Sequence, residues 1–292
     1  MPQEEFIIAT YLLIDELYQK IVTTKLRSRG FATALSDVEI ITIQVVGEAL
    51  SLNDDKKIWR YFKENLQSWF QKPSPYPNFC KHCANLWHLH RQMAALPAAR
   101  YGQDDGYIID GFPLPVCKPA RAKRHRSFKG DAQYGYCAAK DEHYYGFKGH
   151  LLINPVGMIV NLRLAGANVD EREMLPEMCE GLRGLLLGDK GYIGTFRREG
   201  MKKQLVNLQT PLRGNMKDKR SKKALRRLMR ERRRIETVIE QLVERFKITA
   251  TKTRDLWHLS HRVIRKGLAH SICVVLCLLS GYPPLQFEAL FP

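Results

Sequence analysis

The chain has 292 residues, 45% hydrophobic and 26% charged, with 47 Lys and Arg against 30 Asp and Glu and a formal net charge of +17. That apolar content excludes a disordered chain and suffices for one large core or two moderate ones. The charge reads either as a solvated basic surface or as the mark of a polyanionic partner, and the clustering of the basic residues points to the latter, nucleic acid. Seven cysteines, an odd number with no leader-like segment, read as reduced cytoplasmic thiols, and the apolar run at 272–279 is too short to cross a bilayer.

Residues 2–30 carry a helical stripe of Phe6, Tyr11, Leu13, Ile14, Leu17, Ile21 and Val22. Ser36-Asp37-Val38-Glu39 is a capping box that opens a helix to about residue 50. Asn53-Asp54-Asp55 opens the next, with an aromatic face of Trp59, Tyr61, Phe62, Leu66, Trp69 and Phe70. Pro73, Pro75 and Pro77 break the chain, and a helix from Asn78 to about Ala95 is expected to end at Pro97. This helical region, residues 1–98, reads either as a helix-turn-helix-like DNA-binding domain or as a cap that only packs on its neighbour.

From there the pattern changes. Strands are expected at 107–112, 145–154, 158–165, 185–188 and 204–209, with the turn Pro155-Val156-Gly157 joining the second and third. Residues 113–144 read as irregular, and helices are expected at 169–181 and to about residue 200. Leu225, Leu228, Ile235, Val238, Ile239, Leu242 and Phe246 recur at three and four, which predicts a long amphipathic helix over 217–246, and a helical pair follows over 260–279. Strand, hairpin, helix, strand, helix, strand, long helix is the order of a ribonuclease-H-like α/β domain, here residues 99–292. The fold class is thus a mixed-sheet catalytic domain preceded by an all-helical domain. In that order the first and fourth predicted strands are parallel neighbours.

Two of these strands end in acid. Tyr107-Ile108-Ile109 runs into Asp110, and Leu185-Leu186-Leu187-Gly188 runs into Asp189. A carboxylate at the tip of a buried strand is costly unless something binds it. Glu236 on the long helix supplies a third, with Glu240 and Glu244 on the same stripe. Hard oxygen ligands of this kind hold Mg²⁺ or Mn²⁺, and a pair of such ions drives phosphodiester chemistry. Two basic clusters flank the acids. One comprises Lys118, Arg121, Lys123, Arg124, Arg126 and Lys129, and the other runs from Arg213 through Arg232 and Arg233 to Arg234. Lys148, His150 and Lys190 fall close to the strand tips and are expected at DNA phosphates. Cys80-Lys81-His82-Cys83 with His88 and His90 has zinc-like spacing, but it lies inside a predicted helix, where zinc knuckles use a turn, and reads as packing.

Several motifs together resemble the DDE transposases of the insertion sequence 982 family. They are Leu35-Ser36-Asp37-Val38-Glu39, Ile109-Asp110-Gly111-Phe112-Pro113-Leu114-Pro115, Tyr134-Gly135-Tyr136-Cys137, Tyr145-Gly146-Phe147-Lys148-Gly149-His150, Leu187-Gly188-Asp189-Lys190-Gly191-Tyr192, Asn215-Met216-Lys217, Ile235-Glu236-Thr237-Val238-Ile239 and Arg254-Asp255-Leu256-Trp257-His258-Leu259. The resemblance runs from about residue 35 to 275. It implies a Mg²⁺-dependent bacterial enzyme with Asp110, Asp189 and Glu236 as its acidic triad. That enzyme would cut at terminal inverted repeats, transfer the ends into target DNA, and work as a dimer or larger assembly at the nucleoid. In the Tyr-Arg-Glu-Lys signature of related enzymes Arg232 matches, whereas Met229 and Val243 stand at the Tyr and Lys positions, so Glu236 is set over Glu240 by motif alone. The rival readings are a ribonuclease-H-like endonuclease without strand transfer and an inactive DNA-binding protein.

Overall fold

The computed structural model describes all residues except 25, 27–32, 67–68, 70–73, 103–105, 139, 195–198, 203–204, 213–215, 219, 251 and 292. Phe70, Pro73, Gln204, Arg213 and Asn215 of the sequence reading lie outside the described residues. The chain forms two compact units. One comprises Met1–Arg100, Leu242–Lys252 and His261–Pro292, and the other comprises Tyr101–Gln241 and Thr253–Ser260. The expected boundary was a single cut after residue 98. The C-terminal segment instead belongs with the N-terminal helices, because its buried charges find their partners there.

In the first unit, α1 (Gln3–Ile21) buries Phe6, Ile7, Leu13, Ile14 and Leu17. It ends at Ile21, one residue before the last of the stripe, and Tyr11 of that stripe is exposed. Helix α2 (Asp37–Ala49) begins at the expected capping box: the Glu39 amide donates to Ser36 Oγ at 3.2 Å, and the Ser36 amide donates to Glu39 Oε2 at 2.6 Å. Asp54 caps α3 (Asp55–Asn65), accepting from the Lys57 amide at 2.8 Å. Ile58 of α3 packs so tightly on Gly47 of α2 that a Cβ there would lie 2.6 Å from its side chain. The single helix expected over 78–95 is two, α4 (Tyr76–Asn85) and α5 (Trp87–Tyr101). Pro97 does not end α5. It removes one backbone donor, and its ring is buried, as is Met93 one turn earlier, so packing overrides the local preference.

The core of this unit also holds charge. Arg265 Nε donates to Glu48 Oε1 at 2.8 Å and Arg265 Nη1 to Asp55 Oδ1 at 2.7 Å. Lys266 donates to Glu48 and, at 2.6 Å, to the Phe246 carbonyl. Glu48, Arg265 and Lys266 are all fully buried. Each buried charge here is paired and hydrogen-bonded, the condition under which such groups are tolerated.

The second unit is built on a six-stranded sheet: β1 (Tyr107–Cys117), β2 (Gln133–Cys137), β3 (Glu142–Ile153), β4 (Ile159–Gly166), β5 (Gly184–Leu187) and β6 (Val206–Gln209). The order is β2-β3-β1-β5-β6, with β4 also on β3. Strand β1 is antiparallel to β3 and parallel to β5, as expected of the first and fourth predicted strands, and β5 is parallel to β6. Between β1 and β5 come the short helices α6 (Pro119–Ala122) and α7 (Leu175–Met178). Ile109, Leu152, Leu175, Met178, Leu186 and Leu208 share one core cluster.

The stretch read as irregular over 113–144 contains the rest of β1, α6 and β2. Pro113 and Pro115 fall within β1. They are accommodated because β5 pairs with β1 only at Tyr107 and Ile108, leaving that edge of β1 without a ladder partner farther along among the described residues. The helix expected over 169–181 shrinks to α7. Asp170 folds back to accept from the Arg172 amide at 2.8 Å, a turn that competes with helix, and Gly181 and Gly184 take positive φ. A 3₁₀ turn, Lys190–Tyr192, starts where a helix to residue 200 was expected, and residues 199–202 are helical. Long helix α8 is Lys222–Glu244. The helical pair expected at 260–279 is one helix, α9 (Leu256–Leu279), since Gly267 alone does not break it. Among the described residues no helix is long and apolar enough to cross a membrane, and all seven cysteines are free thiols. Cys80 and Cys83 lie on α4.

Candidate active site

The parallel pairing of β1 and β5 sets the geometry. Tyr107 pairs with Leu186 and Ile108 with Leu187, and two residues past that last rung stand Asp110 and Asp189. Equal offsets on parallel neighbours put the two carboxylates at the same level of the sheet. The strands place them firmly, since Ile108, Ile109, Leu186 and Leu187 are buried. Asp110 Oδ1 accepts from the Gly111 amide at 2.8 Å, and Asp189 caps the 3₁₀ turn by accepting from Lys190 N at 2.5 Å.

Helix α8 brings the third acid. Arg232 and Glu236 are one turn apart on it, and the Arg232 guanidinium gathers all three carboxylates. Its Nη1 lies 3.7 Å from Asp110 Oδ2 and 3.5 Å from Asp189 Oδ1, while Nη2 lies 2.6 Å from Glu236 Oε1. Of the two glutamates that periodicity left open, it is Glu236 that shares this guanidinium. Ile235 and Val238 are fully buried and fix the helix face, leaving Glu236 half exposed at the site.

Burial pushes Asp110 up to a pKa of about 7. Glu171 and Asp189 press in the same direction, and the Gly111 amide and Arg232 offset part of it. Glu171 is itself raised, by burial first and then by Asp189 and Asp170, with Lys148 acting against them. The site therefore holds more negative charge than its neighbours neutralise. All its donors are hard oxygens, the ligand set of Mg²⁺ or Mn²⁺. Among the described residues no three His, Cys, Asp or Glu side chains stand close enough to share one ion in this arrangement, with Arg232 between them.

The basic residues expected at DNA separate into two groups. Arg121, Lys123, Arg124, Arg126, Lys129, Lys190 and Arg233 are exposed. Lys148, His150 and Arg232 are not free surface groups. Lys148 is half-buried, 3.6 Å from Glu171 Oε1, and Arg232 is engaged by the three carboxylates. His150 is fully buried with neither ring nitrogen hydrogen-bonded among the described residues, and burial, reinforced by Lys148, lowers its pKa to about 4. The expectation of a phosphate contact from His150 gives way to a neutral core imidazole. The carboxylate that sequence reasoning missed is Glu171. Its signal was the acidic run Asp170-Glu171-Arg172-Glu173, read there as the start of a helix.

The family described as Transposase DDE domain matches residues 101–256, a span that holds every residue of this site. No curated protein matches the chain. Among solved structures, a piggyBac transposase synaptic complex with hairpin DNA, determined by cryo-EM, is similar over 97% of this chain and 75% of that one, at 10% identity and a TM-score of 0.44. The family match covers more than half of the chain, and the chain belongs to the transposase DDE domain family.

Proposed function

We propose, from that membership, that the chain is the DNA transposase of a bacterial insertion sequence of the 982 family, with a ribonuclease-H-like catalytic unit. The reading rests above all on one observation: carboxylates from β1, from the turn after β5 and from α8 converge on the single guanidinium of Arg232. The strand order supports the fold assignment, with β1 central, β3 antiparallel on one side and β5 and β6 parallel on the other. Asp110, Asp189 and Glu236 would hold divalent ions, two of them, magnesium or manganese. Such ions, when bound, polarise the scissile phosphate and stabilise the attacking and leaving oxygens of an in-line displacement.

The chain's own residues do the rest. The two strands fix the aspartates against recoil, and α8 delivers Glu236 with little loop freedom. Arg232 holds the acids together by neutralising part of their repulsion. Lys190, at the start of the turn after Asp189, and the exposed Arg121, Lys123, Arg124, Arg126, Lys129 and Arg233 neutralise DNA phosphates. Residues 1–98 bind the terminal inverted repeats, and joining two ends calls for a dimer or larger assembly in the bacterial cytoplasm, at the nucleoid. Strand transfer follows when a freed 3′-hydroxyl enters the same site.

Asp110→Ala and Asp189→Ala are expected to abolish cleavage of an inverted-repeat duplex in Mg²⁺ or Mn²⁺ while end binding survives. Cleavage retained by either variant sinks the proposal. Covalent joining of a cut end to target DNA separates a transposase from a nuclease that only cuts.

A further inference from the structure

Strand β2 is an edge strand: among the described residues it pairs with β3 alone. One of its faces is packed. A Cβ on Gly135 would lie 2.7 Å from the Ala167 side chain, and Tyr144, which pairs with Gly135, is buried. Alternation along the strand turns Tyr134 and Tyr136 to the opposite face. There they remain 51% and 49% exposed. Each meets a ring directly across the ladder. Tyr134 pairs with Tyr145, ring centroids 5.2 Å apart, and Tyr136 pairs with His143, centroids 4.9 Å apart. The Tyr136 ring is also anchored by its hydroxyl, which donates to Asp141 Oδ1 at 2.6 Å.

Cross-strand aromatic pairs stabilise a hairpin, but that role does not require four rings on one face with half of each edge tyrosine in water. Two features say what covers the face. The first is charge. Strand β1 ends at Cys117, which pairs with Tyr145, and the chain from there to β2 carries Lys118, Arg121, Lys123, Arg124, Arg126 and Lys129, all exposed, against the single acid Asp131. The basic segment therefore leaves the sheet beside the Tyr134–Tyr145 pair and returns to it there. The far end of the hairpin, with Lys140, Asp141 and Glu142, has no such excess. The second feature is placement. Tyr145 and Leu151 lie on one face of β3, and Leu151 pairs with Asp110. The rings thus share a side of the sheet with the Asp110 side chain, roughly 20 Å away along the strand. Flat aromatic surfaces beside a cationic segment are what single-stranded nucleic acid binds: bases stack on the rings while Lys and Arg follow the phosphates.

We propose that Tyr134, Tyr136, Tyr145 and His143 form a stacking platform for unpaired DNA bases, with the Lys118–Lys129 segment on the phosphates of the same strand. The inference rests on the DNA-directed function proposed above. It adds a substrate form: a single-stranded stretch flanking the reacting phosphate, whose base faces a paired duplex would hide.

The test compares binding of a labelled thymidine oligonucleotide, an abasic strand of the same length and a fully paired inverted-repeat duplex to the full-length chain, by fluorescence anisotropy in EDTA at fixed KCl. Wild type is expected to bind the thymidine strand at least roughly tenfold more tightly than the abasic one, which offers phosphates without bases. Tyr134→Leu with Tyr136→Leu keeps apolar bulk and removes two flat faces. It is expected to weaken the thymidine strand at least roughly tenfold and to leave the duplex within about twofold of wild type. Tyr134→Phe with Tyr136→Phe keeps the faces and should bind all three as wild type does. Equal binding of thymidine and abasic strands by wild type overturns the inference, as does a Leu variant that holds the thymidine strand undiminished. A Leu variant that loses strand and duplex alike overturns it too, because the rings then serve only to hold the hairpin and its basic segment. Loss in the Phe variant assigns the binding to hydroxyls and also sinks it. Each of these leaves wild-type duplex binding, and the transposase reading, standing. A wild-type chain that binds none of the three overturns both.

Discussion

Asp110 is the residue at which function and stability pull apart. Its side chain is 19% exposed, and burial, ahead of Glu171 and Asp189, lifts its pKa to about 7 from an unfolded value near 4. A folded carboxylate with a raised pKa binds its proton more tightly than the unfolded one does. Its cost to stability is therefore absent below about pH 4, grows as pH rises through the window between the two values, and is complete above pH 7. Three pKa units correspond to an upper bound of about 4 kcal/mol. Asp110→Asn, measured in EDTA, should raise the urea midpoint over wild type at pH 8 and leave it unchanged at pH 4, while eliminating cleavage. An equal difference at both pH values would show that the carboxylate is not strained by its surroundings. Adding Mg²⁺ at pH 8 should stabilise wild type and not the variant, because a ligand that binds only the folded state adds to its stability.

Among the elements, those fixed by local chemistry were legible and those fixed by packing were not. The α2 capping box could be read from four residues, because Ser36 and Glu39 satisfy each other's backbone donors without help from elsewhere. Ser36→Ala should lower stability by about 1 kcal/mol, read as a fall in the urea midpoint. Glu39→Gln, which keeps an acceptor, should lower it less, and equal losses would mean that α2 is held by its buried faces alone. Asp110 and Asp189 were legible for a related reason: a buried aliphatic run that ends in acid is visible in sequence whatever pairs with it. Strand β2 was not, since its glycine and tyrosines alternate against a surface that sequence does not show; a Cβ on Gly135 would lie 2.7 Å from Ala167. The continuation of α5 through Pro97 and of β1 through Pro113 was equally hidden, each depending on burial or on where a neighbouring strand stops. Glu171 escaped notice because its proximity to Gly111 and Gly191 exists only once the chain has folded.

For the whole molecule the dominant quantity is charge. A net +17 repels itself in the folded chain, and in the proposed function the phosphates of DNA offset it. The site is the local exception: four carboxylates, Asp110, Asp189, Glu236 and Glu171, face two cations, Arg232 and Lys148. In the proposed function the exposed basic residues attract the DNA backbone while the acidic centre calls for divalent ions. The two demands have opposite signatures in salt. Phosphate contacts release counterions, so affinity for duplex DNA falls with monovalent salt by about 0.9 of a log unit per log unit of salt for each phosphate neutralised. Arg121, Lys123, Arg124, Arg126 and Lys129 are exposed, and replacing all five by Ala should flatten the slope of log K against log[KCl] by about 4.5 if each meets a phosphate. Equilibrium binding of an inverted-repeat duplex at several KCl concentrations, with EDTA present, measures it. The same variant should bind Mn²⁺ like wild type, because none of the five touches the carboxylates. A slope that does not change would place the DNA path on α8 and Lys190 and remove the Arg121–Lys129 cluster from it.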